Sequence, residues 1–371
     1  MKFIVSSSAL SKQLTAISGV IVNNPIVPIL ENFLFEINDK QLTITASDLQ
    51  TSITATLPIE AQESASIAIP ARILLETLRN LPEQPVTFSV NEDTYTVEIS
   101  SENGRYRLAG ENAADFPRLQ MMQEGVAVDM PTKTLRKAIN QTIIATSNDE
   151  LRPAMNGVYM NFTESSATFV ATDGHRLVRY KRSDVGVATQ RPFIAPRKTL
   201  TLLNNLMSNE VPSVNIAFSD NIVSFQLPNL SMISRLIDER YPDYENVIPA
   251  SNPNKLTINR LAFLSSLKRI AIYANRTTHQ IKLNMAGSEL QILAEDFDFS
   301  NEASERLTCE YEGDDLEIGF NAKFLIEMLS SLSVEEVEMH FSESSKAGLI
   351  VPKDKEQEED ILLLIMPVIL K

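Results

Sequence analysis

Tryptophan is absent from this 371-residue chain, cysteine occurs once, at Cys309, and histidine three times, at His175, His279 and His340. A single cysteine excludes a disulfide within the chain and a cysteine-rich metal site. Three scattered histidines leave little material for a histidine metal centre or a Ser-His-Asp triad. No metal and no cofactor is therefore expected. Glycine-rich loops of the GxxxxGK(S/T) or GxGxxG type are missing, which argues against a nucleotide site. No apolar run reaches the roughly 18 to 20 residues of a membrane span. The opening MKFIVSSSALSKQL turns polar too early for a signal peptide. A cytoplasmic protein without membrane contact is the expectation. The formal charge of −15 would by itself argue against nucleic acid as a partner.

What is present is a repeat. Three apolar runs each end in a small residue, a polar residue and an aspartate: 44–47 before Asp48, 170–172 before Asp173, and 293–295 before Asp296. The aspartates are 125 and 123 residues apart, the size of a whole domain. A solenoid unit is only about 20 to 50 residues. Each third opens with an amphipathic segment, at 6–21, 131–146 and 259–274. Helical spacing links Leu10, Leu14 and Ile17, then Leu135, Ile139 and Ile143, then Leu264, Leu267 and Ala271. A second amphipathic segment follows at 70–81, 196–207 and 321–332, with Pro70 and Pro196 at a first helical position. Alternating runs such as FLFEI, QLTITA, VTFSV, TVEIS, VYMNF, VNIAF, IVSFQL and IKLNM read as antiparallel strands, with turns at Asn38-Asp39 and Asn103-Gly104.

The expected fold is α+β: three structurally repeated domains, 1–120, 121–250 and 251–371, each an antiparallel sheet with two helices on one face. The repeated aspartate is expected to cap the turn after its strand. Asp48 and Asp296 have no histidine neighbour, so Asp173 and His175 do not read as an acid–base pair. Three aspartates in three domains cannot share one ion.

The six helical segments hold twelve basic residues, Lys12, Arg72, Arg79, Lys133, Arg136, Lys137, Arg197, Lys198, Arg260, Lys268, Arg269 and Lys323, against only Glu76 and Glu327. They carry net +10 and the remainder of the chain −25. Helices tolerate glutamate as well as lysine, and exposed helices mix signs for i,i+4 pairing. A one-sign bias therefore points to a positive surface. Equivalent helices sharing the inner face of an arc would attract phosphate there, while the acidic exterior repels it. Such contact is backbone-directed and carries no sequence specificity. Phe263, Tyr273 and Phe324 are the only aromatics on these helices, too few for stacking on single strands.

The segments MKFIVSSSAL, NNPIVPILENFLF, ATDGHRL (171–177), RYPDY (240–244) with VIP after it, and the terminal IMPVIL together resemble the bacterial DNA sliding clamp family, the beta subunit of the replicative DNA polymerase III holoenzyme. The resemblance covers the whole chain. It implies DNA-clamp architecture without catalysis: a head-to-tail homodimer closing a ring around double-stranded DNA. The lining helices would present Lys12, Arg72, Arg79, Lys133, Arg136, Lys137, Arg197, Lys198, Lys268 and Arg269. It implies a pocket for short apolar peptide motifs of the replicative polymerase, the clamp loader and repair proteins. That pocket would be built by Met155, Thr172, Gly174, His175, Arg176, Leu177, Pro242, Val247, Leu364, Met366, Pro367, Val368, Ile369 and Leu370. It implies that Ile73, Thr77, Tyr106 and Leu108 of one copy meet Ile272 and Tyr273 of another.

Three departures stand out. The family tail commonly ends in MPMRL, whereas this chain has Val368, Ile369 and an added Lys371. The first-domain loop that often offers an arginine to DNA reads Val22-Asn23-Asn24, and Arg152-Pro153-Ala154 stands where aromatics are frequent. More of the DNA contact then falls to the helices. By pattern alone the tail reads as a final edge strand. The alternative function is an acidic peptide-binding scaffold that never touches nucleic acid.

Overall fold

The structure is a computed structural model that describes residues 2–61, 63–119, 122, 125–188 and 190–370. The expected boundary at Gln120 and Met121, and the added Lys371, lie outside the described residues. The six amphipathic segments are helices: α1 (Ser7–Ile17), α2 (Ala71–Arg79), α3 (Thr132–Thr142), α4 (Arg197–Leu206), α5 (Arg260–Ile270) and α6 (Ala322–Ser331). The segments that open each third finish in a tighter turn, at Ser18–Val20, Ile143–Ala145 and Ala271–Tyr273. Polar side chains start three of these helices. Ser6 accepts from the Ala9 amide, Asn259 from that of Ala262, and Asn321 from those of Lys323 and Phe324.

Pro70 corrects one expectation. It is the N-cap of α2 (φ −52°, ψ 115°) and the last residue of strand Ala65–Pro70, not a first helical residue. Pro196 likewise ends strand Arg191–Pro196. Both strands lie at sheet edges, where a missing N–H costs the ladder least.

The chain forms two compact units, Met1–Thr134 with Lys198–Leu236, and Leu135–Arg197 with Ile237–Lys371. The middle third supplies strands to both. The first unit holds a five-stranded and an eight-stranded sheet, the second a nine-stranded and a four-stranded sheet, all antiparallel. In the first unit, Phe3 and Phe88 of one sheet, stacked at 4.7 Å, meet Phe35 of the other with ring centroids 6.5 and 6.3 Å away. In the second, Phe320 and Phe341 span the two sheets at 6.1 Å. All five rings are fully buried, each contributing about 1.5–3 kcal/mol through its removal from water. Helix α1 packs on α2 and α5 on α6, burying Leu10, Leu14, Ile17, Leu267 and Leu325.

One pairing rule recurs. Strand Thr51–Pro58, which follows Asp48, pairs with Leu230–Arg235, the last strand of the middle third. Strand Arg176–Arg182, which follows Asp173, pairs with Glu359–Ile365, the last strand of the final third. The strand that follows Asp296, Asn301–Thr308, has Glu289–Asp296 as its one neighbour and is an edge. Arg105–Ala109, the last strand of the first third, is also an edge. The expected edge strand at the chain's end is therefore corrected: Glu359–Ile365 lies between Arg176–Arg182 and Gly348–Pro352. Its residues 361–365 are buried without alternation, the pattern of a strand covered on both faces.

The repeated aspartates cap turns, as expected. Asp48 Oδ1 accepts the Gln50 and Thr51 amides at 3.0 and 2.7 Å. Asp173 Oδ1 accepts those of His175 and Arg176 at 2.9 and 3.0 Å. Asp296 Oδ1 accepts the Asp298 amide at 3.2 Å and Asn275 Nδ2 at 3.3 Å, and is buried. Asp296→Ala should cost about 1–2 kcal/mol, while Asp296→Asn, which keeps the acceptor, should cost clearly less. Urea denaturation measures both, and equal losses would contradict the cap.

Candidate functional site

Leu177 and Leu364 sit opposite each other on the paired strands Arg176–Arg182 and Glu359–Ile365. With Val170, Ala347 and Leu362 they form a buried apolar floor, against which Tyr159, Tyr241, Tyr244, Ile248 and Leu349 pack half-buried. Tyr159 stacks on Tyr241 with centroids 4.9 Å apart and tilts toward Tyr244 at 6.1 Å. The Tyr241 hydroxyl donates to the Val170 carbonyl at 3.3 Å. Burial raises the Tyr241 phenol well above its ordinary value, and burial with Glu245 pushes Tyr244 up to about 12. Both hydroxyls are thus protonated donors at neutral pH. Val247 stands exposed, while Pro242 and Met155 are half-buried. Tyr241 and Tyr244 belong to the RYPDY segment and are within reach of sequence reading. Ala347 and Leu349 are not, since only strand pairing brings them in.

The turn at 172–176 is built from backbone chemistry. Thr172 Oγ1 donates to the Arg176 carbonyl at 2.7 Å and accepts the Gly174 amide at 3.1 Å. Gly174 has φ +88°, which favours glycine. Arg176 is buried, and its charge is committed. Its Nε donates to Asp173 Oδ2 at 3.1 Å and its Nη1 to Glu327 Oε2 at 2.6 Å. Its guanidinium lies 4.5 Å from the centre of the Phe324 ring, which also faces His175 at 6.2 Å. Phe324 and Glu327 come from α6, with Glu327 151 residues beyond Arg176, and no sequence spacing announces them.

The tail does not continue this floor. The Met366 amide donates to the His175 carbonyl and the Val368 amide to the Gly319 carbonyl, both at 2.8 Å. Met366 is 41% and Ile369 84% exposed. Val368, Ile369 and Leu370 line a separate cleft of about 470 Å³ with Ile281, Leu293, Ala294 and Phe297. The candidate pocket residues thus divide into a floor around Leu177 and Leu364 and a strap from Met366 to Leu370.

Of the candidate DNA-facing cations, Lys12, Arg72, Arg79, Lys133, Arg197, Lys198, Lys268 and Arg269 are exposed. Arg136 and Lys137 are half-buried. Several already have acidic partners, all but Glu76 outside the helical segments. Arg269 is held by Glu305 through two bonds of 2.7 and 2.6 Å, and this guanidinium holds the Glu305 carboxyl below its ordinary value. Lys198 pairs with Asp48, and Arg72 with Glu76 at 3.3 Å. Lys137 meets Glu356 at 3.0 Å and Glu359 at 2.7 Å. Burial alone would lower the Lys137 ammonium, but hydrogen bonds to Glu359 and Glu356 leave it raised. Arg79 reaches Thr15 and Arg197 reaches Asn148.

Among the residues assigned to contact a second copy, Ile73, Ile272 and Tyr273 are exposed at 53%, 76% and 43%. The Thr77 hydroxyl donates to the Ile73 carbonyl, Tyr106 is half-buried, and Leu108 is a core residue at 9% exposure. Among the described residues no group of histidine, cysteine or carboxylate side chains could hold a metal ion. No helix among them is long and apolar enough to cross a membrane.

Arg176→Lys should lower stability by about 1–3 kcal/mol, because a point charge cannot bond two carboxylates and lie flat on Phe324. Chemical denaturation checks this, and unchanged stability would contradict the network.

The DNA polymerase III beta subunit N-terminal domain model matches residues 1–120, the central domain model 129–243 and the C-terminal domain model 245–368. The Beta sliding clamp of Haemophilus influenzae is 30% identical over 353 residues, covering 94% of this chain and 95% of that one. That of Vibrio cholerae is 28% identical over 369 residues, covering 99% and 100%. Among solved structures, the DNA polymerase sliding clamp of Bacillus subtilis superposes over all of both chains with TM-score 0.95 at 26% identity. The Pseudomonas aeruginosa sliding clamp bound to griselimycin does so with TM-score 0.94 at 27% identity. With consecutive domain models spanning almost its whole length, this chain belongs to the DNA polymerase III beta subunit family, the bacterial sliding clamps.

Proposed function

We propose that two copies of this chain close into a ring around double-stranded DNA and tether the replicative polymerase, the clamp loader and repair proteins. The protein performs no chemistry of its own, needs no cofactor and works in the cytoplasm. Three domains, divided near residues 120 and 250, make up each half of the ring.

The observation that carries this reading is the pairing rule. The strand after the repeated aspartate joins its third to the last strand of the next third, twice within the chain. The third instance is incomplete, because Asn301–Thr308 and Arg105–Ala109 are both edges. A second copy completes it head to tail, and the same contact in reverse closes the ring. Opposite charges also face outward on the two edges, Arg107 on one and Glu302 on the other, while Arg105 is paired with Glu98 and Glu305 with Arg269. The exposed Ile73, Ile272 and Tyr273 are assigned to the same joint, where Thr77, Tyr106 and Leu108 support the first-domain side.

DNA is assigned to the helix faces, through Lys12, Arg72, Arg79, Lys133, Arg136, Lys137, Arg197, Lys198, Lys268 and Arg269. Exposed cations outside these ion pairs supply most of the attraction, and those already paired, such as Arg72, Lys198 and Arg269, supply less. Partner peptides are assigned to the floor around Leu177 and Leu364, with Met155, Thr172, Gly174, His175, Arg176, Pro242 and Val247 as its rim. The strap of Met366, Pro367, Val368, Ile369 and Leu370 starts at its rim, where Met366 pairs with His175, and runs on to line the separate cleft. A concave apolar floor with a few fixed polar groups suits short peptide motifs.

The ring is tested by retention on circular DNA. Protein loaded onto a nicked plasmid should stay bound through gel filtration in high salt and be released when the circle is cut. Salt-sensitive binding indifferent to linearisation would overturn the ring. Exchanging Lys12, Lys133 and Lys268 for glutamate should weaken binding to duplex oligonucleotides uniformly across sequences. It should also flatten the dependence of binding on salt, by roughly one unit of slope for each phosphate no longer neutralised. An unchanged slope in fluorescence anisotropy would remove these lysines from the interface.

A further inference from the structure

The strap at the chain's end is held by two main-chain hydrogen bonds, Met366 N–H to the His175 carbonyl and Val368 N–H to the Gly319 carbonyl. The second clip has an unusual requirement. Gly319 lies inside strand Leu316–Asn321, where a glycine is a weak strand former. Its neighbours explain it. A Cβ built on Gly319 would sit 2.6 Å from Leu370 Cδ2 and 2.7 Å from the Val368 carbonyl oxygen. The Leu370 methyl could swing away, but the Val368 carbonyl is backbone of the strap itself. No side chain larger than hydrogen fits while Val368 stays paired. The glycine is required for close approach of one backbone to another, not for its turn geometry.

We propose that Gly319 is the seat of the C-terminal strap, and that this docking is what positions Met366 and Ile369 for a bound partner peptide. Gly319 is a positioning residue that acts through residues 366–370. With the clip closed, Val368 and Leu370 turn toward the protein, Ile369 stays exposed, and the strap forms one wall of the 470 Å³ cleft. With the clip open, the main-chain hydrogen bond left to the strap is that of Met366, and the cleft loses that wall. This rests on the peptide-binding reading of the strap, and the experiment separates the two.

The variants are Gly319→Ala, which pushes the strap off from below, and Val368→Pro, which removes the donor and leaves Gly319 intact. Two readouts are taken on the full chain: amide hydrogen exchange of the C-terminal peptide, and affinity for griselimycin by calorimetry. Both variants should expose the C-terminal peptide beyond Ile365 to exchange and bind griselimycin at least about tenfold more weakly, while residues 361–365 stay protected. Retained protection in both variants overturns the seat. Faster exchange with unchanged griselimycin affinity overturns the positioning role and leaves the seat standing. If deleting residues 366–371 leaves griselimycin affinity unchanged, the partner-site reading of the strap fails, and the exchange data still decide the seat.

Discussion

Where Arg176–Arg182 lies against Glu359–Ile365, seven residue pairs tie the end of the chain to the strand that leaves the Asp173 turn. Much else in the second unit follows from that register. It sets Leu177 opposite Leu364 and so makes the apolar floor. It holds Arg176 where α6 can offer Glu327 and Phe324. It also delivers the chain at Ile365 to His175, where the strap begins. A slip of one residue would turn every buried side chain of the final strand to the opposite face. Polar groups at the far end of the same ladder reinforce the register. Tyr180 donates to Glu359 at 2.9 Å, Arg179 to Asp360 at 2.7 Å, and Lys137 pairs with Glu359.

The electrostatic picture is more local than a count of charges suggests. Helix cations near strand carboxylates are partly neutralised, as at Arg269 with Glu305 and Lys198 with Asp48. A phosphate approaching such a pair competes with the carboxylate. Lys12, Lys133 and Lys268 stand exposed at the helix surface. The acidic remainder of the chain still disfavours phosphate elsewhere, so an overall charge of −15 and a DNA-facing positive surface are compatible.

Much of this architecture is legible in the residues alone. Leu10, Leu14 and Ile17 announce α1 through a spacing that burial obeys, and runs such as TVEIS alternate as half-buried strands do. The aspartate turns are legible because an Asx cap needs only local residues. The failures are non-local. Pro70 sits one position earlier than its pattern implies, because the pattern cannot tell an N-cap that ends a strand from a first helical residue. The final strand reads as an edge, because nothing in ILLLI says that a neighbour lies on either side. Glu327, Phe324 and Gly319 join the site through tertiary packing, which residue spacing does not encode.

The repeat is ultimately a statement about unsatisfied edges. Two of its three joints are closed within the chain, and the third leaves Arg105–Ala109 and Asn301–Thr308 with exposed ladders, a hazard that proteins normally cover or block. In the proposed ring a second copy covers both. Sedimentation equilibrium of the native protein at micromolar concentration tests this directly. One species of about twice 41.4 kDa is expected, with no larger open polymer. A species that remains at 41.4 kDa throughout would contradict it.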